Sequence, residues 1–234
     1  MSAIDITGLS KRYGAFPALD GLTLSLPPGQ IVGLLGENGC GKTTLLKVLA
    51  GALTRYEGNV SIHGHAPGPE SKGLVSFLPD ASFLADNSTI DGCVNQYRDF
   101  FADFNEEKAR DLIRFFGLTS TAKLSTLSKG MREKVQIALA MSRDAKVFLL
   151  DEPISGVDPA AREVILEAIV RDLSPDALVL ISTHLIHDLE PVLDGVAFMR
   201  HGRVLLAGQV DDLRAERGLS IDELFREVYR WSPR

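Results

Sequence analysis

The sequence predicts an α/β fold with a mostly parallel sheet, an antiparallel β subdomain and an inserted α-helical subdomain. Three observations predict it. Short β-like runs punctuated by glycine and proline open the chain and return in its second half. A block of helical periodicity separates the two sets. Within the second set an amphipathic helix joins two apolar runs, and a strand-helix-strand unit of that kind carries parallel strands.

The elements follow in order. "AIDITGL", "LTLSL", "QIVGLLG", "NVSIHG" and "GLVSFLP" read as strands. From Ser88 to Arg143 the period becomes helical, and "NEEKARDLIRFFGL" starts a helix at Asn105, a cap followed by two first-turn glutamates. "KVFLLDE", "ALVLIST", "GVAFMR" and "RVLLAG" restore the strand pattern. Between the first two of these, "PAAREVILEAIVRDL" puts Ala161, Val164, Ile165, Ala168 and Ile169 on one face, after Asp158 as cap and Pro159 at the first helical position. No internal repeat or low-complexity tract interrupts the chain. One domain over residues 1–234 is expected: 1–87 and 144–218 form the β subdomain and core, 88–143 the helical subdomain, and 219–234 a C-terminal helix.

Composition narrows the function classes. A chain of 234 residues with 45% hydrophobic content can bury a sizeable core. The 31 acidic residues against 25 basic, a net charge of −6, argue against a nucleic-acid partner. Apolar stretches such as "VFLL" and "ALVLI" fall far short of the roughly 18 residues that span a bilayer, and "MSAIDITGLSKRYG" has no apolar signal core. A soluble, cytosolic chain is expected. Cys40 and Cys93 form no spaced framework and are expected to be free thiols.

The sharpest motif is Gly36-Glu37-Asn38-Gly39-Cys40-Gly41-Lys42-Thr43, set between an apolar strand and an apolar helix. It matches G-x-x-x-x-G-K-[ST] in the context that the motif requires. Glycines let backbone N–H groups wrap a β-phosphate at a helix N-terminus, Lys42 neutralises β/γ oxygens, and Thr43 offers a hydroxyl to Mg²⁺. The core is therefore read as a P-loop NTPase core with a nucleoside triphosphate and Mg²⁺ as its ligands. Its nucleotide-binding residues are Gly36, Asn38, Gly39, Cys40, Gly41, Lys42, Thr43 and Thr44. Cys40 is either a small filler of the loop or a thiol activated by the helix N-terminus. A phosphate site of this kind needs an acidic group at a strand end, and "VFLLDEP" supplies Asp151 to hold Mg²⁺ through its water shell and Glu152 to polarise the attacking water. In "LSKGM", Ser128 caps a helix whose first N–H groups can face an anion, and on the residues alone the stretch reads as a plain capped helix.

With these motifs in this order, the chain resembles the ATP-binding subunits of ABC transporters over nearly its whole length, and it looks most like those of small bacterial exporters. The resemblance implies an ATPase that energises a separate transmembrane permease subunit from the cytoplasmic face of the membrane. It pairs with a second ATPase subunit, a copy of itself or a relative, to sandwich two ATP molecules. It further implies a role for "LSKGM", which stands where the family writes LSGGQ: Ser128 and Gly130 match and contact the γ-phosphate held by the other subunit, while Lys129 and Met131 depart. Tyr13 matches the adenine-stacking aromatic, His184 the switch histidine, and Ser155 and Asp158 of "SGVDP" the interface loop. Asp80 stands where the family has a glutamine that contacts Mg²⁺, a shorter and charged replacement. Permease docking is expected on "ASFLADNSTIDGCVNQYRDFF", with Phe83 and Leu84 exposed and most of Tyr97, Phe100 and Phe101 in the core. Two other readings compete. A soluble ABC ATPase outside transport is opposed by the acidic charge and the single ATPase unit. A non-hydrolysing regulatory subunit is favoured by Asp80, Lys129 and Met131 and opposed by Glu152 and His184.

Overall fold

The computed structural model describes residues 2–171 and 173–231, the side chain of Trp231 apart. In chain order the first half holds β1 (Ile4–Tyr13), β2 (Phe16–Leu26), β3 (Ile31–Leu35), α1 (Lys42–Leu49), β4 (Glu57–Ile62), α2 (Pro69–Lys72), β5 (Val75–Leu78), α3 (Ile90–Phe100) and α4 (Glu106–Phe115). The second half holds α5 (Lys129–Met141), β6 (Val147–Asp151), α6 (Pro159–Arg171), β7 (Leu178–Thr183), α7 (Ile186–Leu189), β8 (Gly195–Arg200), β9 (Arg203–Gln209), α8 (Val210–Arg217) and α9 (Ile221–Trp231).

Two sheets form. The larger runs β5-β6-β7-β3-β8-β9. Its first five strands are parallel, and β9 returns antiparallel on β8. Every residue of β3, β6 and β7 is buried, as expected for parallel strands covered on both faces. Alternation still decides which core each side chain joins. Ile31 and Leu35 pack with the helical subdomain, whereas Val32 and Leu34 pack with α1 and the smaller sheet. That smaller sheet, β2-β1-β4, is antiparallel throughout.

Local chemistry sets the helix starts. Asn105 accepts the Lys108 N–H at 2.9 Å, with Glu106 and Glu107 in the first turn of α4, and Asp158 accepts the Ala161 N–H at 3.0 Å at the start of α6. Ile165, Ala168 and Ile169 are buried on α6, with Ala161 and Val164 partly so. Arg143, just after α5, ties the helical subdomain to the large sheet. It binds Asp103 at 2.9 Å and the Val75 carbonyl at 3.0 Å, and its guanidinium sits 4.1 Å from the Phe101 ring centroid.

Two details differ from the sequence reading. Phe100 is 74% exposed rather than core, because it lies on the solvent side of α3 while Tyr97 and Phe101 face Phe104. Leu84 is half-buried against the core, so Phe83, 44% exposed, stands out without it. The C-terminal helix begins at Ile221, and residues 232–234 of its expected span lie outside the described residues.

Candidate nucleotide site

The phosphate loop leaves β3 at Gly36 and enters α1 at Lys42, so strand and helix fix its two ends. Glycine is required at two of its positions. A Cβ on Gly41, at φ 112°, would stand 2.5 Å from the Ala18 carbonyl, and one on Gly36 would stand 2.5 Å from both Cys40 Sγ and the Met199 carbonyl. The loop is thus packed between β2 and β8 with no room for side chains. Glu37, Asn38 and Gly39 form its exposed rim. Cys40 is buried beneath it, and burial pushes its thiol up against the pull of Lys42. A protonated, enclosed thiol fills space under Gly36.

Lys42 is 6% exposed, and its ammonium lies inside the loop. It donates to the carbonyls of Gly36 at 2.8 Å and Glu37 at 3.3 Å and pairs with Glu152 Oε1 at 3.6 Å. Thr43 Oγ1 donates to Asp151 Oδ1 at 3.1 Å, and Ser182 Oγ donates to the same oxygen at 2.6 Å. Asp151 Oδ2 is buried without a hydrogen-bond partner. A buried carboxylate oxygen left over beside a threonine hydroxyl fits a hard divalent cation such as Mg²⁺.

Glu152 adopts φ 52°, a left-handed conformation uncommon outside glycine. Its N–H is held by the carbonyl of Ser182 at 3.0 Å and by its hydroxyl at 3.1 Å. That turn at the end of β6 sends Asp151 toward Thr43 and Glu152 toward Lys42. His184, after β7, donates Nδ1–H to Glu152 Oε2 at 2.9 Å, since an ionised carboxylate can only accept. Parallel pairing of β6 with β7 places Asp151 opposite Ser182 and so brings His184 beside Glu152.

The structure therefore joins Lys42, Thr43, Asp151, Glu152 and His184 in one cluster. Tyr13 lies nearby at the end of β1, 50% exposed, in a cleft of about 720 Å³ that it shares with Leu19, whose side chain abuts Gly41. The other expected residues sit elsewhere. Ser128 caps α5 by accepting the Met131 N–H at 3.3 Å, and a Cβ on Gly130 would find its nearest neighbour, Val157, at 3.7 Å. Lys129 reaches the Ser155 carbonyl at 3.4 Å and Glu133 at 3.6 Å. Asp80 lines a cleft with Lys129 and Glu133. Burial pushes the Glu133 carboxyl up, Lys129 holds it down, and Asp80 adds to the rise. Among the described residues, no hydrogen bond or ion pair joins Ser128, Gly130 or Asp80 to Lys42, Thr43 or Asp151.

Sequence reasoning missed Ser182, whose signal was a polar residue inside the apolar run "LVLIST". It also missed Phe16, 59% exposed and paired across the β1–β2 hairpin with Tyr13.

Fold and site together define a P-loop nucleotide-binding protein with an acid-base cluster at the phosphate end. Comparison with known proteins makes the class narrower. Residues 19–155 match the model of the ABC transporter family. The daunorubicin resistance ATP-binding protein DrrA3 of Streptomyces coeruleorubidus is 30% identical over 97% of this chain and 75% of its own. The Nod factor export ATP-binding protein I of Rhizobium etli is 30% identical over 100% of this chain and 75% of its own. A solved structure described as an ATP-binding subunit of an ABC transporter superposes with a TM-score of 0.87 at 30% identity, covering 97% of this chain and 100% of that one. This chain belongs to the ABC transporter family, among its ATP-binding proteins.

Proposed function

We propose that the protein is the ATP-hydrolysing, energy-coupling subunit of a membrane ABC transporter of the exporter type, working as a dimer that closes around two ATP molecules. The observation that carries the hydrolytic reading is Glu152, held in a left-handed backbone turn between Lys42 and His184. A turn of that kind costs about 1–3 kcal/mol and is characteristic of functional sites.

Lys42 pairs with Glu152 at 3.6 Å. A triphosphate carries more negative charge and takes Lys42, which leaves Glu152 to His184 and to water. Backbone N–H groups of the loop and the N-terminus of α1 bind the β-phosphate. Glu152 orients the attacking water and accepts its proton as the water adds to the γ-phosphorus and ADP departs. His184 fixes the carboxylate through Nδ1–H, and in the doubly protonated ring its Nε2–H is the donor left for the γ-phosphate. Thr43 and Asp151 would hold Mg²⁺, which when bound neutralises phosphate charge. Tyr13 offers its exposed ring to adenine.

Dimerisation is supported by what the cluster lacks. Ser128 and Gly130, the signature residues, share no hydrogen bond or ion pair with Lys42 of their own chain, and Gly130, partly exposed, presents no side chain to an approaching phosphate. A partner subunit supplies them in trans. Export is supported by the DrrA3 and Nod factor relatives. A groove of about 380 Å³ that Phe83 and Phe100 flank, shared with Pro79, Leu84 and Tyr97, supports docking of the permease subunit there, with this chain on the cytoplasmic face of the membrane. Among the described residues no helix is long and apolar enough to cross a membrane.

Glu152→Gln tests the reading. The amide keeps the shape but cannot take a proton, so turnover should fall by about 10²–10⁴-fold, the range of general-base removal, while calorimetric ATP affinity stays within a few-fold. Turnover near the parent rate would move the base elsewhere.

A further inference from the structure

The phosphate loop has a second support that the nucleotide cluster does not use. The helix α9 lies against the large sheet through Ile221 and Leu224, both buried, and through Phe225, whose ring meets Phe198 of β8 edge-on at 5.4 Å. Tyr229, one turn further, stacks on Phe225 at 4.1 Å. Its hydroxyl donates to the Met199 carbonyl. That carbonyl is the atom 2.5 Å from the Cβ position of Gly36, and the Tyr229 hydroxyl itself is 3.1 Å from the same position. Burial pushes the Tyr229 phenol up, Cys40 beneath the loop adds to the rise, and the Glu37 backbone opposes it. The hydroxyl is therefore enclosed by the end of β8, the first two residues of the phosphate loop and the Cys40 thiol.

We infer that Tyr229 is a positioning residue for ATP binding: its hydroxyl pins the Gly36–Glu37 corner of the phosphate loop to β8, so that docking of α9 and binding of the triphosphate are linked. The inference rests on the reading of this loop as the ATP site. The argument is geometric. A phosphate loop binds by aiming successive N–H groups at one anion, and its affinity depends on how little those groups must be ordered on binding. Gly39, at φ 80° with nothing within 4 Å of its Cβ position, leaves the exposed rim of the loop unbraced by side-chain packing. Packing from Cys40 and Met199 limits it from below, and at the corner the Tyr229 hydroxyl, bonded to the Met199 carbonyl, stands 3.1 Å from the Cβ position of Gly36. Linkage runs both ways: a docked α9 favours ATP, and bound ATP favours a docked α9.

Tyr229→Phe keeps the ring stacked on Phe225 and removes only the hydroxyl. Hydrogen exchange in the nucleotide-free protein should quicken over residues 36–41 by about fivefold, the worth of one hydrogen bond, while the strands β3 and β8 keep the parent rates. The KM for MgATP should rise by a similar factor with kcat unchanged. A purely structural contact of α9 would lower the melting temperature without a split of KM from kcat. Loop exchange and KM equal to the parent values in Tyr229→Phe overturn the inference. Lys42→Ala separates the two claims: if it binds MgATP as the parent does, the ATP reading fails, and the exchange measurement still decides whether the hydroxyl pins the loop.

Discussion

Asp80 occupies a position that the family resemblance assigns to a metal-contacting glutamine, yet its charge is felt at Glu133 of α5. The two carboxyl groups share a cleft with Lys129, so the residue links the segment after β5 to the start of the signature helix. A neighbouring negative charge holds the Glu133 proton on. Asp80→Gln should therefore lower the titration midpoint of Glu133, followed by carboxyl NMR. An unmoved midpoint would contradict the pairing. At this scale the phosphate loop was legible because anion binding by consecutive N–H groups is a local property, written in eight adjacent residues. Asp151 and Glu152 were legible for the same reason, as acids ending an apolar strand. Ser182 and Tyr229 were not, since each acts on residues remote in sequence through strand pairing or helix docking.

Helix α9 is secured at its other end by Glu190, between α7 and β8. Its carboxylate accepts from Arg214 at 2.7 Å and from the N–H groups of Ile221 at 2.9 Å and Asp222 at 3.4 Å. Burial works against the charge, but Arg214 and the two backbone donors outweigh it and hold the carboxyl below the usual glutamate range. A depressed pKa means that the anchor stabilises the fold above the ordinary glutamate pKa and is lost as pH falls through the lower folded value. Amide exchange of residues 221–231 should rise on acidification below about pH 4, and Glu190→Gln should show fast exchange already at neutral pH. Parent-like protection in that variant would remove Glu190 as the anchor. The docking groove is a second element-scale feature. Replacing Phe83 and Phe100 with serine removes exposed apolar surface only, so copurification with the permease subunit should weaken while ATP affinity is retained. An intact complex would place docking elsewhere. The sequence pattern located α3 and its aromatics but could not orient them, because Tyr97, Phe100 and Phe101 fall three and one residues apart and only the packing of Phe104 and Arg143 decides which ring faces out.

For the whole molecule, the α/β class, the parallel sheet and the helical insertion followed from the change of period along the chain. Strand order did not: β3 lies between β7 and β8, far from its neighbours in sequence, and β1, β2 and β4 leave the large sheet to form their own. That order brings the ends of β3, β6 and β7 together, and with them Lys42, Glu152 and His184. Ser128 and Gly130 share no hydrogen bond or ion pair with that cluster among the described residues. In the proposed dimer two such chains would each supply half of a site, with ATP as the bridge and its binding energy linked to association. The measurement that tests this most directly is light scattering on Glu152→Gln, which holds ATP without consuming it. With ATP and Mg²⁺ the variant should run as a dimer, and it should return to monomer when the nucleotide is removed. A monomer under both conditions, at protein concentrations where ATP is shown to be bound, would contradict the shared site.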